Sequence, residues 1–196
     1  MTEVISTYEP ALYSIPRRGT VLYTRVRSMI PALLEGTVVS IDPSCGSSSS
    51  MPAYAIYWAG KLLNSGIIQL DIEKPIEQRL YDLGLQLRST LTDSVSVLIY
   101  EDVPPVRFYK SGRTSAGSQS SLIKSVGTIL GTIRADHHVG LRPSVWRRIS
   151  GPSHVKGDVE DAVEMGRLTI ELARYIQATH PPRSGRGRGR VGGSDI

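Results

Sequence analysis

The sequence predicts an α/β fold: a mixed five-stranded sheet flanked by helices, in the order β-β-β-α-β-α-β-α. Three observations predict it. Three short apolar runs follow one another across turn signals between residues 37 and 70, as in an antiparallel meander. Two further apolar runs, SVSVLIYE and HHVGL, are each reached through a long amphipathic segment, the pattern of a parallel crossover. A final amphipathic stretch, GDVEDAVEMGRLTIELARYIQA, closes the folded part of the chain.

The elements can be taken in order. Residues 1–35 read as an irregular N-terminal extension broken by Pro10, Pro16 and Pro31; TVLYTRVRSMI within it fits a short strand or a short helix equally. Strands follow at Thr37–Asp42, 53–59 and 62–70. WAGKLL reads as a tight hairpin, and Asn64-Ser65-Gly66 as the place for a bulge or kink. In IEKPIEQRLYDLGLQLRSTL, Ile76, Leu80, Leu83, Leu87 and Leu91 fall on one helical face. SVSVLIYE is nearly continuous in apolar residues, which predicts a strand covered on both faces. DVPPVRFYKSGRTSAGSQS is a long irregular excursion. SSLIKSVGTILGTIRA is helical, with Leu122, Ile123, Val126, Ile129, Leu130 and Ile133 as its stripe. HHVGLRPSVWRRI starts as a short fifth strand and is expected to turn irregular at Pro143. One domain over residues 36–180 is expected, followed by an Arg/Gly tail, 181–196, that cannot bury a core and is expected to be disordered.

Composition narrows the function classes. At 196 residues, 40% of them apolar, the chain can bury an ordinary core. A single cysteine, Cys45, excludes an internal disulfide and suits a reducing compartment. No secretory leader and no stretch apolar enough to cross a membrane is found, so the cytoplasm or an organelle matrix is expected rather than secretion. The net charge of +5 points to a polyanionic partner, and part of it lies in the tail at Arg183, Arg186, Arg188 and Arg190. That tail reads either as a loose grip on phosphates or as a solubilising end.

The first strand ends in Asp42 and the fourth in Glu101; as parallel neighbours they would emerge on the same sheet edge, where ligands of open α/β sheets bind. Asp158 and Asp161, three apart at the start of the last helix, share a face. If that helix crosses the same edge, four carboxylates converge. Such a cluster is costly without a cation. All-oxygen donors favour Mg²⁺ or Mn²⁺, and two ions about 4 Å apart would clamp a phosphodiester. Each residue also has a plainer reading: Asp42 as a turn former in DPSCG, Glu101 as a solvated strand end, Asp158 and Asp161 as cap and first-turn charges.

VVSIDPSCGSSSSMPAYAIY resembles the first strand and hairpin of RuvC-type Holliday junction resolvases, within the RNase H-like superfamily. VLIYEDV is similar to their second acidic strand, SLIKSVGTILGTI to their long helix, and VEDAVEMG to their closing D-x-x-D-A motif. The resemblance spans residues 38–172. It implies an RNase H-like fold, a homodimer and metal-dependent, paired cutting of four-way DNA junctions. Carried over by position, Asp42, Glu101, Asp158 and Asp161 would be the metal ligands. The sequence departs from the pattern at Ser44, where glycine is usual, and in the short stretch before Asp158.

Candidate DNA contacts follow. The loop after Glu101 interleaves Arg107, Phe108, Tyr109, Lys110 and Arg113, basic groups for phosphates and rings for an unpaired base. Lys124 interrupts the second helix, and Arg147 and Arg148 extend a basic track. Lys156, two before Asp158, is placed to stabilise charge on a reacting phosphate. His154 is a candidate proton carrier, and His137 and His138 read as strand-end residues. Gly127 and Gly131 give the second helix one smooth face, suited to packing on the sheet or to a dimer.

Three rivals remain at this level. An actin-like ATPase would use IDPSCGSSSS as a phosphate loop but needs a second, repeated domain. A DNA-binding module could keep the fold without cutting. A nuclease of the same superfamily could act on flaps, forks or RNA–DNA hybrids with the same metal chemistry.

Overall fold

The computed structural model describes residues 12–47, 50–91, 94–102, 116–152 and 156–180. β1 (Thr37–Asp42), β2 (Ala53–Trp58) and β3 (Lys61–Ile67) form an antiparallel meander. β4 (Val95–Glu101) runs parallel to β1, and β5 (Ala135–Leu141) parallel to β4. The sheet order is β3-β2-β1-β4-β5, a mixed five-stranded sheet flanked by helices, as the sequence predicts. Six helices are described: α1 (Val21–Ser28), α2 (Ile30–Glu35), α3 (Ile76–Thr90), α4 (Ala116–Thr132), α5 (Pro143–Ser150) and α6 (Asp158–Thr179).

Strand alternation divides the core into two layers. Val38, Val97, Ile99, Val139 and Leu141 face one side, where α1, α2, α5 and α6 cover them. Val39, Ile41 and Leu98 face the other, packed against Leu83 and Leu87 of α3 and Ile129 of α4. α6 is the long brace of the first layer, burying Ala162, Met165, Leu168, Ile170, Leu172, Ala173 and Ile176.

The hairpin between β2 and β3 turns on Ala59 and Gly60, both at positive φ (48° and 71°), the backbone of a type I′ turn. Arg174 of α6 donates to the Gly60 carbonyl at 3.0 Å and ties this turn to the brace.

Four expectations need correction. Residues 21–35 are not irregular: Thr20 caps α1, Pro31 opens α2 as proline can in a first turn, and Tyr23, Val26, Met29 and Leu33 are buried. Their apolar spacing belongs to two short helices, and Tyr23 reaches His180 beyond α6 at 3.0 Å. The chain after β5 does not turn irregular at Pro143; proline sits in the first turn of α5, where it lacks no needed N–H, and Trp146 and Ile149 are buried one turn apart. The bulge falls at Leu63 rather than 64–66, because Ile56 faces Asn64 while Tyr57 faces Leu62. The α4 stripe is narrower than expected: Ile129 and Ile133 are buried, but Ile123 is 48% and Leu130 36% exposed. The loop at 103–115 and the tail at 181–196 lie outside the described residues.

Candidate active site

Asp42 and Glu101 reach the same place because their strands share a register. Ile41 stands opposite Tyr100 in the parallel β1/β4 pair, so the next residue on each strand is an acid. Alternation puts Asp42 on the side of Val38 and Glu101 on the side of Val97 and Ile99, the side that α6 covers. α6 begins with Asp158, and Asp161 follows one turn on. The four acids thus come from three elements onto one corner of the sheet.

The charges feel one another. The Asp42 carboxyl is pushed up to about 8, first by burial, then by the charges of Glu101, Asp161 and Asp158, with Arg147 opposing. Burial also raises Glu101, while the Trp146 hydrogen bond and the Arg147 charge pull it back. The Glu101 and Asp161 side chains are only 15% and 14% exposed, so water screens their repulsion poorly.

Several groups hold the acids in place. The Trp146 indole Nε1–H donates to Glu101 Oε2 at 3.0 Å. Arg147 lies between two acids, 3.8 Å from Glu101 Oε2 and 3.4 Å from Asp161 Oδ2, with its guanidinium 5.0 Å from the centre of the Trp146 ring. Asp158 Oδ2 accepts the Met51 N–H at 2.7 Å, and its Oδ1 accepts the Ser50 hydroxyl at 3.3 Å. The loop after Asp42 is held from below: Ser125 of α4 donates to the Ser44 carbonyl at 2.7 Å, and Arg79 of α3 donates to the Cys45 carbonyl at 3.1 Å. α3 and α4, on the far side of the sheet, therefore shape the rim of the site.

The donor set fits a hard divalent cation in kind and in charge: carboxylate oxygens only, with one acid raised above its ordinary range by burial and then by three others. The spacing is looser. Among the described residues, no three His, Cys, Asp or Glu side chains are gathered closely enough to hold a metal ion. Arg147 supplies positive charge between Glu101 and Asp161, and Asp158 is engaged by the chain beside β2.

The other sequence candidates divide. Arg147 joins the acids as an ion-pair partner, a role its place in WRR did not suggest. Arg148, its neighbour, is exposed on α5. Lys156 is exposed just before α6, and no ion pair engages it among the described residues. Lys124 pairs with Glu77 of α3 at 3.5 Å rather than with the acids. His137 and His138 are exposed within β5, the edge strand, not at its end. Arg107, Phe108, Tyr109, Lys110, Arg113 and His154 lie outside the described residues. Sequence reasoning missed Trp146, Ser50 and Met51. A tryptophan three residues after a proline and three before an isoleucine was the available signal for a helix with a buried face.

Among the described residues, no helix is long and apolar enough to cross a membrane. No family model matches the sequence, and no curated protein matches it. Solved structures similar to the chain include two of RuvC. One is Thermus thermophilus RuvC in complex with a Holliday junction substrate, at 14% identity and a TM-score of 0.46, over 72% of this chain and 94% of that one. The other is Thermus thermophilus RuvC, at 14% identity and a TM-score of 0.41, over 72% of this chain and 95% of that one. Identity this low assigns neither activity nor ligand, and the chain's own site must carry the functional reading.

Proposed function

We propose that this chain is a metal-dependent endonuclease that resolves four-way DNA junctions by paired, symmetric nicks. The observation that carries the reading is the convergence of Asp42, Glu101, Asp158 and Asp161 on one corner of the sheet, where burial first and the neighbouring acids second raise the Asp42 carboxyl to about 8. Arg147 offsets only part of this charge, and a divalent cation would offset the rest. Asp42, at the centre, and Glu101, Asp158 and Asp161 around it would hold Mg²⁺ or Mn²⁺, two ions being the number suited to an in-line displacement. Bound there, the metal supplies an activated water and charge stabilisation at the leaving oxygen, giving 5′-phosphate and 3′-hydroxyl ends.

The chain's own groups do the positioning. Trp146 fixes the orientation of Glu101, and Met51 and Ser50 fix Asp158. Arg147 hydrogen-bonds Asp161 at 3.4 Å and lies 3.8 Å from Glu101, so it would meet a phosphate by exchanging these carboxylate partners. Lys156, exposed beside Asp158, adds a second cation on the approach. The loop residues Arg107, Phe108, Tyr109, Lys110 and Arg113, with Lys124 and Arg148, would hold the arms of the junction.

A homodimer fits this reading, because two symmetric cuts need two sites. One face of α4 supports it: among the described residues Ile123 and Leu130 are exposed, and a side chain added at Gly127 or Gly131 would meet nothing within 4 Å.

A second reading has one observation in its favour. Arg147 already neutralises part of the cluster, as it would in a branched-DNA-binding module that cuts nothing. The experiment that separates them is cleavage of a labelled synthetic four-way junction beside linear duplex, flap and RNA–DNA hybrid controls, with Mg²⁺ and with EDTA. Paired nicks in the junction alone, abolished by EDTA and by Asp42→Asn, support the resolvase. Tight junction binding with no cutting in Mg²⁺ or Mn²⁺ moves the chain to the binding module. Equal cutting of the flap or hybrid keeps the nuclease and discards the junction.

A further inference from the structure

A concave basic feature adjoins Asp102, the residue that follows Glu101 in the chain. A cavity of about 850 Å³ opens between residues 14–25, the end of β5 and α5. Arg17, Arg25, Arg142 and Arg148 line it, and Asp102 is the one acid in its lining. Arg142 meets Asp102 at a loose 4.0 Å; among the described residues no ion pair engages Arg17, Arg25 or Arg148. Four guanidiniums against one carboxylate leave an excess of positive charge around a concave space.

The cavity is tied to the active site through the backbone. Asp102 directly follows Glu101, and its N–H donates to the Leu141 carbonyl at 2.9 Å, closing the end of β4 onto β5. Arg148 directly follows Arg147, which touches Glu101 and Asp161. One wall is the N-terminal segment, and it is fastened down: the Tyr13 N–H donates to the Ile149 carbonyl of α5 at 2.9 Å, and Thr20 caps α1.

We propose that this cavity is a second nucleic-acid contact, which grips the phosphodiester backbone of the strand leaving the carboxylate site. Guanidinium forks match phosphate oxygens. Arginines contributed by three separate segments suit successive phosphates of one strand better than a single anion. The volume is ample for a sugar-phosphate backbone, and Asp102 in its lining directly follows Glu101 at the end of β4. Residues 14–25 are thereby part of the substrate surface. The proposal rests on reading the carboxylate corner as a nucleic-acid site.

The test measures binding without catalysis. Fluorescence anisotropy of a labelled four-way junction is followed in EDTA across a series of KCl concentrations, for the wild type, Arg17→Ala/Arg25→Ala and Arg17→Lys/Arg25→Lys. Each lost phosphate contact lowers the slope of log K against log salt by about 0.7–0.9. The Ala pair is expected to lower it by about 1.4–1.8 and to weaken binding at least tenfold near 0.1 M salt, with the Lys pair close to wild type. Thermal melts of all three verify folding; both arginines are exposed, and the Lys pair keeps the charge should the Ala pair melt early. An unchanged slope and affinity in the Ala pair, or no DNA binding by the wild type, overturns the proposal. Because the readout is metal-free, it separates from the cutting activity. A wild type that cuts while the Ala pair binds equally well sinks the cavity alone. A wild type that shows the expected slopes but cuts nothing sinks the nuclease alone.

Discussion

Asp42→Asn should make the metal-free protein more stable at neutral pH, although it removes the central acid of the site. The folded Asp42 carboxyl sits near 8 against an ordinary value of 3.8. Between those values the folded chain binds a proton that the unfolded chain does not, so stability falls as pH rises. The sign follows from an acid whose folded value is raised: no penalty below 3.8, a growing one up to 8, a constant one beyond. From 3.8 to pH 7, at about 1.36 kcal/mol per pH unit, the penalty is at most about 4 kcal/mol. Local relaxation and water entry raise the effective dielectric and reduce this, so a gain of about 1–3 kcal/mol is expected for the neutral, isosteric Asn. For a chain of this length that is roughly 2–10 °C in Tm. Circular dichroism melts of both proteins in EDTA from pH 4 to 9 measure it. The two curves should meet near pH 4 and diverge steadily toward pH 8. Parallel curves, or a mutant less stable at pH 7, would refute the claim that burial and the neighbouring acids raise the Asp42 carboxyl.

Three further outcomes are expected. Trp146→Phe removes the indole donor from a mostly buried Glu101 and should cost about 1–3 kcal/mol, read as a lower urea midpoint; an unchanged midpoint would mean the hydrogen bond is not formed in solution. Arg147→Gln takes a cation from between Glu101 and Asp161. It should tighten Mn²⁺ binding by about two- to fivefold, the worth of a partly exposed ion pair, by isothermal titration; weaker binding would show that Arg147 assists the metal instead of competing with it. Gly166→Ala in α6 would drive its Cβ into the Tyr57 ring, and overpacking of about 1–3 kcal/mol should outweigh the roughly 1 kcal/mol helix gain; a rise in Tm would contradict the close approach of α6 to β2.

The sheet was legible because its signals are local. Alternation and turn residues mark β1 to β3, continuous apolar runs mark β4, and amphipathic spacing marks α3 and α6. The pairing of Asp42 with Glu101 followed from topology, since parallel neighbours end on one edge. What escaped was non-local. α1 and α2, at 8 and 6 residues, make only about two turns each, too few for their apolar spacing to stand out, and they are held by burial against α6. Proline 143 was read as a break when its position, after an exposed Arg142, made it a helix start. The Ser50 and Met51 contacts to Asp158 cross more than a hundred positions of chain and involve a main-chain N–H, which no residue type announces. Arg147 reads as surface charge in WRR and becomes a counter-ion only once α5 is known to pack beside Glu101.

The central claim is that these four carboxylates form a divalent-cation site. The most direct measurement is Mn²⁺ binding to the DNA-free protein, followed by the loss of the free-ion electron paramagnetic resonance signal, for the wild type and for Asp42→Asn. The account predicts saturable binding by the wild type, competition by Mg²⁺, and loss or strong weakening in the variant at unchanged fold. Wild type that leaves the free Mn²⁺ signal intact at millimolar concentrations, or a variant that binds as well, would contradict it.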